Sequence, residues 1–206
     1  SPPIVCKFGG TSASDGECFQ QIKEILGADP DRRYVVVSAP AGMTNLLISC
    51  HEKATKGEPY EIELRQVKET FRNIALALGL INGEVMYDLR DIEQLLVAGE
   101  PLPSVVSRGE FINAKLLAQF LGWPFVDAQI LIHFDAEGKL DEGKTYQAIS
   151  ENLSTGEPAV IPGYYGSGPD GNVTIFPRGG SDITGAIIAR GVKARLYENW
   201  KEFPGI

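Results

Sequence analysis

Three glycine-containing loops constrain the fold of this chain more than any other feature of its sequence. They occupy residues 7–12 (KFGGTS), 38–45 (SAPAGMTN) and 176–182 (FPRGGSD), and each follows an apolar run and precedes a helical pattern. In open α/β sheets, ligands bind at the carboxyl ends of the strands, where such loops lie. The order strand, loop, helix, strand at the start of the chain predicts a βαβ unit. We therefore expect a layered α/β domain with a largely parallel sheet and a hairpin.

Hydrophobic periodicity predicts the elements around these loops. Short apolar runs indicate strands, and apolar residues at steps of three and four indicate helices. The predicted strands are residues 4–8, 34–37, 159–161 and 194–197, with strand character also at 124–126. The predicted helices include residues 44–54, 64–78, 85–96, 105–121 and 146–153. The turn at 169–172 predicts the tip of a hairpin whose second arm is 173–176.

Capping residues predict where two further helices begin and end. Ser14 and Glu17 have the S-x-x-E spacing of a capping box at the start of the first helix, and Gly27 is expected to close that helix. Ser181 and Asp182 are predicted to cap the helix that follows the third loop.

Composition and charge exclude several classes of function. The 206 residues contain 19 Lys and Arg against 27 Asp and Glu, a formal net charge of −8. This balance argues against a nucleic-acid binder and against a polybasic protein of the membrane surface. No apolar run is long enough to cross a bilayer. The three cysteines have no metal-type spacing and are expected to be buried thiols of a reducing compartment.

The first loop combines features that suit phosphate binding. Gly9 and Gly10 allow a close approach of the backbone, Thr11 and Ser12 supply hydroxyls, and Lys7 places a mobile cation nearby. The pattern differs from the P-loop, which has its lysine after the last glycine. A tight turn with a solvated lysine explains the same residues equally well.

The third loop and the SRGE segment at residues 107–110 carry further charged groups. Arg178 can hold a substrate carboxylate by two parallel hydrogen bonds, and the carboxylate of Asp182 follows four residues later. The simpler interpretation of Ser181 and Asp182 is helix capping, which is compatible with a functional role. For Glu110 in the SRGE segment, the simpler interpretation is a favourable position near the start of an apolar helix.

Taken in order, these motifs resemble those of the aspartokinases. Residues 7–12 are similar to the opening signature of that family, residues 107–110 to its inner motif and residues 176–182 to its arginine–glycine–glycine–serine–aspartate loop. Thr44 to Leu47 fits the second loop, and the resemblance covers essentially the whole chain. It implies the amino-acid kinase fold, a three-layer α-β-α sandwich. It also implies phosphorylation of the side-chain carboxylate of L-aspartate by ATP, with Mg²⁺ carried by the nucleotide.

The resemblance also implies roles for individual residues. ATP is expected against residues of the first and third loops, namely Lys7, Gly9, Gly10, Thr11, Ser12, Gly179 and Gly180. L-Aspartate is expected against Ser38, Thr44, Glu110, Arg178 and Ser181. By this resemblance, Arg178 holds the α-carboxylate and Glu110 faces the ammonium group. Lys7 and Asp182 are the implied catalytic residues, with Lys7 against the transferring phosphate and Asp182 orienting Lys7. No side chain is expected to bind a metal ion.

The sequence departs from the aspartokinase pattern after Trp200. Lys201 and Glu202 stand where the family has threonine–aspartate, and the sequence stops at Ile206, where the family continues into the rest of its nucleotide lobe and paired regulatory domains. We therefore expect residues 1–206 to be a catalytic domain truncated before the rest of that lobe, without regulatory domains. This portion alone is expected not to phosphorylate aspartate. For the complete protein the resemblance implies a cytoplasmic homodimer.

Two alternatives remain open from the sequence. One is a kinase of the same fold that acts on another acid, such as acetylglutamate or glutamate. The other is a non-catalytic binding module that retains the fold, which Lys201 and Glu202 favour. No interaction with nucleic acid or with a membrane is expected in any of these cases.

In the complete enzyme, we expect Arg178→Lys to weaken aspartate binding although the positive charge is kept. Lysine is a point charge and cannot reproduce the two parallel hydrogen bonds of a guanidinium. The expected loss is about 1–3 kcal/mol, the scale of a charge-assisted hydrogen bond. Steady-state kinetics should show a raised KM for aspartate and an almost unchanged KM for ATP. Equal effects on both substrates would place Arg178 on the phosphate side or in the scaffold.

Overall fold

The computed structural model describes residues 1–81, 83–177 and 179–202, which are built around a four-stranded parallel sheet. The order of the strands in this sheet is β3-β2-β1-β6. Its members are β1 (Ile4–Phe8), β2 (Arg32–Val37), β3 (Ala159–Pro162) and β6 (Leu196–Trp200). A separate antiparallel ribbon consists of β4 (Tyr165–Ser167) and β5 (Val173–Ile175). The predictions of a largely parallel sheet and of a hairpin are thus confirmed.

Helices cover both faces of the sheet. They are α1 (Gly16–Ala28), α2 (Met43–Thr55), α3 (Glu61–Ala77), α4 (Val85–Ala98), α5 (Leu102–Leu121), α6 (Ala128–Leu131), α7 (Glu142–Asn152) and α8 (Gly180–Gly191). Helices α1 to α5 pack in one hydrophobic core, and α6 to α8 pack in the other. The result is the three-layer α-β-α arrangement that the family resemblance implies.

Strand β1 is buried on both faces of the sheet. Successive side chains of a strand point to opposite faces, so Cys6 and Phe8 enter the first core while Val5 enters the second. Strands covered by helices on both sides are therefore apolar along their whole length, as parallel strands typically are. Lys7 is the exception within β1, and it is buried with the rest of the strand.

The hydrogen bonds of the sheet continue one residue beyond the strand ends. The backbone N–H of Gly9 donates to the Trp200 carbonyl at 2.9 Å, and that of Ser38 donates to the Phe8 carbonyl at 3.0 Å. These contacts fix the starts of the first and second loops side by side at the carboxyl edge of the sheet. This is the edge where ligands of open α/β sheets bind.

The predicted capping box of α1 is wrong. Asp15 is the N-cap, and its Oδ1 accepts a hydrogen bond from the Cys18 N–H at 2.8 Å. Ser14 instead donates to the Gly10 carbonyl and accepts from the Ala41 N–H, so its hydroxyl joins the first two loops. Local spacing assigns the Ser14 side chain to the cap, but this side chain instead makes tertiary hydrogen bonds.

The predicted caps of α8 are also wrong. The helix begins at Gly180 after Gly179, which has the left-handed φ of 59° that favours glycine and makes no side-chain cap. Ser181 and Asp182 therefore lie in the first turn of the helix rather than before it. In this position Asp182 is free to pair with another side chain.

Several predicted boundaries shift by a few residues. Helix α1 continues through Gly27 to Ala28, α7 begins at Glu142 rather than 146, and β6 lies two to three residues after the predicted run. Residues 124–126 form an isolated bridge from Phe125 to Val160 instead of a strand. Helix α6 and a 3₁₀ turn at Gly10–Ser12 had no sequence signal.

Two further expectations concern the cysteines and the membrane. Cys6, Cys18 and Cys50 are buried and form no disulfide, as predicted. Within the described ranges, no helix combines the length and the apolar character that crossing a membrane requires.

Candidate active site

A pocket of about 300 Å³ opens at the carboxyl edge of the sheet. It brings together residues from β1, from the second loop, from α5 and from the start of α8. Its lining consists of Lys7, Ser38, Thr44, Glu110, Tyr164, Gly179, Gly180, Ser181 and Asp182. All of these except Tyr164 were predicted as site residues, although they come from segments far apart in the sequence.

Lys7 and Asp182 form an ion pair in the lining of this pocket. The Lys7 Nζ lies 2.6 Å from the Asp182 Oδ1, and the side chains are 8% and 44% exposed, respectively. The Lys7 ammonium lowers the pKa of the Asp182 carboxyl, and Asn199 supports this carboxylate with a hydrogen bond of 3.2 Å. A Cβ at residue 9 would lie 3.3 Å from the Lys7 Nζ, so Gly9 lets the lysine lie close to the backbone.

Glu110 adds a further ionisable group to the pocket, and none of the described residues forms an ion pair with it. The residue is 5% exposed, and its Oε1 is buried without a hydrogen-bond partner among the described residues. Burial raises the pKa of the Glu110 carboxyl to about 8, although the backbone N–H of Ala39 acts in the opposite direction. A cation bound beside this oxygen would compensate for the cost of burying the negative charge.

Tyr164 is the pocket residue that the sequence did not reveal. Its φ is 87°, a left-handed conformation that is uncommon outside glycine, and its N–H donates to the Thr184 Oγ1 at 3.1 Å. Burial raises the pKa of Tyr164, with a smaller contribution from Glu110. The next residue, Tyr165, is by contrast fully enclosed in the core.

The arrangement of the first loop differs from that of the predicted phosphate-binding loop. The Gly9 N–H already donates to the Trp200 carbonyl, so it is not available to a phosphate in this conformation. The Thr11 hydroxyl donates to the Lys201 carbonyl at 2.6 Å, and Ser12 is buried. None of residues 9–12 lines the pocket. ATP binding by Gly9, Gly10, Thr11 and Ser12 therefore stays a prediction.

Ser38, Thr44 and Ser181 place hydroxyl groups around the same pocket. The position of Ser38 is fixed on both sides, because its N–H donates to Phe8 and its carbonyl accepts from the Asn113 side chain at 2.8 Å. Arg178, predicted to hold a carboxylate, lies outside the described residues.

A larger cavity of about 490 Å³ lies elsewhere, between α4, α5 and the hairpin. Arg108 lines it, with its guanidinium 4.1 Å from the Phe111 ring centroid. Arg108 and Glu110 are two residues apart on a helix and therefore point in different directions. The smaller pocket is the candidate site because it holds the paired Lys7 together with Glu110, which has no ion-pair partner within the part of the chain that the structure describes.

Comparison with known proteins assigns the family. The model of the amino acid kinase family matches residues 2–206, and the chain therefore belongs to that family. Among curated proteins it is 33% identical to aspartokinase 3 of Bacillus subtilis and 30% identical to the lysine-sensitive aspartokinase 3 of Escherichia coli. Each match covers 98% of this chain and 49% of the relative, so the chain spans about half the length of these relatives.

Solved structures give the same result for the fold. The aspartate kinase of Clostridium acetobutylicum matches with a TM-score of 0.94 and 37% identity, over 100% of this chain and 49% of that one. The E. coli aspartokinase III in complex with aspartate and ADP matches with a TM-score of 0.90 and 28% identity, over 99% of this chain and 50% of that one. The predicted amino-acid kinase fold and the resemblance to aspartokinases are confirmed.

The burial of Glu110 predicts how stability depends on pH. An unfolded glutamate ionises near 4.5 and the folded Glu110 near 8, so unfolding releases a proton between these values. The unliganded protein should thus lose stability as the pH rises through this window, relative to Glu110→Gln. The difference should grow by about 1.4 kcal/mol per pH unit and level off above pH 8.

Urea unfolding at several pH values measures this difference. The matched control is Glu69→Gln, which removes the same charge from an exposed position. A difference between wild type and Glu110→Gln that stays constant from pH 5 to pH 8 would contradict the inferred protonation of Glu110.

Proposed function

We propose that the whole protein containing this chain phosphorylates the side-chain carboxylate of L-aspartate with ATP. The observation that carries the proposal is one pocket lined both by a nearly buried lysine paired with Asp182 and by the buried carboxyl group of Glu110, whose Oε1 has no hydrogen-bond partner among the described residues. An amino acid with a second carboxylate complements this arrangement. The similarity to aspartokinases, one of them in complex with aspartate and ADP, supports the choice of substrate.

The proposed binding mode follows from the charges of the pocket. The substrate ammonium lies beside the Glu110 Oε1, where it favours the ionised carboxylate. The hydroxyls of Ser38, Thr44 and Ser181 offer hydrogen bonds around it. Arg178 is proposed to hold the α-carboxylate on the strength of the family resemblance alone. The side-chain carboxylate is then directed towards Lys7.

The proposed phosphoryl transfer requires mainly that the reacting groups are positioned and that their charge is neutralised. A carboxylate nucleophile is already ionised at neutral pH, so no general base is needed. ATP supplies the phosphoryl group, and Lys7 offers its positive charge to the phosphate oxygens during transfer. Asp182 holds Lys7 at 2.6 Å and so limits the positions of the ammonium.

The nucleotide and its metal ion fit this site in part. The N-terminus of α8 at Gly180 presents backbone N–H groups and a helix dipole, which favour phosphate, beside the ammonium of Lys7. Among the described residues, no three His, Cys, Asp or Glu side chains are grouped to hold a metal ion. We propose that Mg²⁺ enters on the phosphates of ATP. The predicted homodimer, the cytoplasmic location and the inactivity of residues 1–206 alone rest on the resemblance and stay predictions.

A substrate panel on the whole protein tests the proposal. We expect ADP release with L-aspartate and an acyl phosphate that hydroxylamine traps, with much lower rates on glutamate and acetylglutamate. Faster turnover of either of those acids would identify a kinase for another substrate of the same fold. Calorimetric binding of aspartate or Mg-ATP without turnover would identify a binding module.

A double-mutant cycle tests whether Lys7 and Asp182 act as a unit. In the whole protein, Lys7→Ala should lower kcat by about 10²–10³, the scale for losing one preorganised electrostatic group. Asp182→Asn should also lower kcat, because it removes the charge that holds the ammonium. The double variant should be little worse than Lys7→Ala, since the losses of coupled residues do not add.

The matched control is the surface ion pair of Lys53 and Glu63, whose atoms approach to 2.5 Å on α2 and α3. Lys53→Ala and Glu63→Gln should leave kcat unchanged. Fully multiplicative losses at Lys7 and Asp182 would show that the two act independently, so that Asp182 is not the residue that holds Lys7.

A further inference from the structure

The side chain of Asn113 joins the first two loops from beneath the pocket. Asn113 lies on α5, one turn after Glu110, and is completely buried. Its Nδ2 donates to the Ala13 carbonyl at 3.0 Å and to the Ser38 carbonyl at 2.8 Å. Ala13 ends the 3₁₀ turn of the first loop, and Ser38 begins the second loop. One amide group therefore binds both loops to the same helix.

Asn113 also acts together with Glu110 on a single peptide unit. The carbonyl of Ser38 accepts from Asn113, and the N–H of the next residue, Ala39, faces the Glu110 carboxyl and lowers its pKa. The carbonyl and the N–H of the peptide group between residues 38 and 39 thus contact two side chains that lie one helical turn apart on α5. Because Glu110 lines the pocket, this arrangement ties the position of its carboxyl group to that of the second loop.

We propose that Asn113 is a positioning residue for phosphoryl transfer, because it fixes the separation between the first loop, next to Lys7, and the second loop, next to the amino acid. This inference rests on the proposed function, in which the two loops adjoin the two reaction partners. Asn113 does not line the pocket, so the proposed binding mode places neither substrate against it. Its effect is exerted through the carbonyls of Ala13 and Ser38.

The physical basis is the sensitivity of a two-substrate reaction to distance. A displacement of about 1 Å between reacting groups can cost about 10²-fold in rate, even when each partner still binds. Other contacts also link the loops, such as the hydrogen bond of 2.9 Å from the Ala41 N–H to the Ser14 hydroxyl. Loss of the Asn113 amide should therefore shift the loops relative to each other without opening the fold.

The experiment measures kcat and both KM values for Asn113→Leu in the whole protein. Leucine has a similar volume but donates no hydrogen bond to the two carbonyls. We expect kcat to fall by about 10- to 100-fold, with each KM changing less than about threefold. The matched control is Thr145→Val, which removes a buried hydroxyl that bonds to His133 in the opposite core. This control should lose stability but keep kcat.

Asn113→Ser covers the case in which the leucine variant does not fold. Its smaller side chain can serve only one of the two carbonyls at a time, so kcat should still fall at least threefold. A folded variant at residue 113 with kcat close to that of the wild type overturns the inference. A rise in both KM values at constant kcat overturns it as well, because that pattern indicates a binding role.

The wild-type rate separates this inference from the proposed function. If the wild type does not phosphorylate aspartate, the proposed function fails and the role of Asn113 fails with it. If the wild type is active and the Asn113 variants match it, only the positioning role is overturned.

Discussion

The carboxyl edge of the parallel sheet is the constraint on which the rest of this structure depends. Strand β1 pairs with β2 on one side and with β6 on the other, and Phe8 lies in register with both Val37 and Trp200. Three strands therefore end at one level, and the chain must leave all of them at the same edge. The loops that follow these strands therefore lie close together at that edge. Glycines at residues 9 and 10 then allow the backbones to lie directly against each other.

The pocket at this edge holds two buried ionisable groups, and they differ in whether a described residue of the chain supplies a partner. Lys7 has a partner in Asp182, so its burial is compensated within the chain. Glu110 has none for its Oε1 among the described residues, so its burial opposes folding at neutral pH. Selection for stability alone would favour the replacement of such an uncompensated group. Active sites retain such groups although they destabilise the fold. A cation bound beside Glu110 would favour its ionised carboxylate and would offset this cost.

The sequence predicts the parts of the fold that depend on local pattern. Strand β2 and helices α3 to α5 follow from apolar runs and steps of three and four, which need no knowledge of the rest of the chain. The cap of α1 was not predictable in this way, because Ser14 is drawn to Gly10 and Ala41 and leaves the cap to Asp15. The left-handed Tyr164 has no local signal at all. The proximity of Lys7 and Asp182 was expected only from the family resemblance, since no spacing rule connects residues 175 positions apart.

Helix α5 explains why the SRGE segment is informative beyond its four residues. A Cβ at residue 109 would lie 3.0 Å from the Ala39 Cβ, so Gly109 allows the second loop to rest on the helix. Glu110 meets the Ala39 N–H, and Asn113 meets the Ser38 carbonyl. Residues at steps of three and four share one face of a helix, so these three positions form a continuous surface beneath the loop. The useful pattern is therefore G-E-x-x-N, in which the glycine lets the second loop lie close to the helix, the glutamate lines the pocket and the asparagine holds the backbone of the loop.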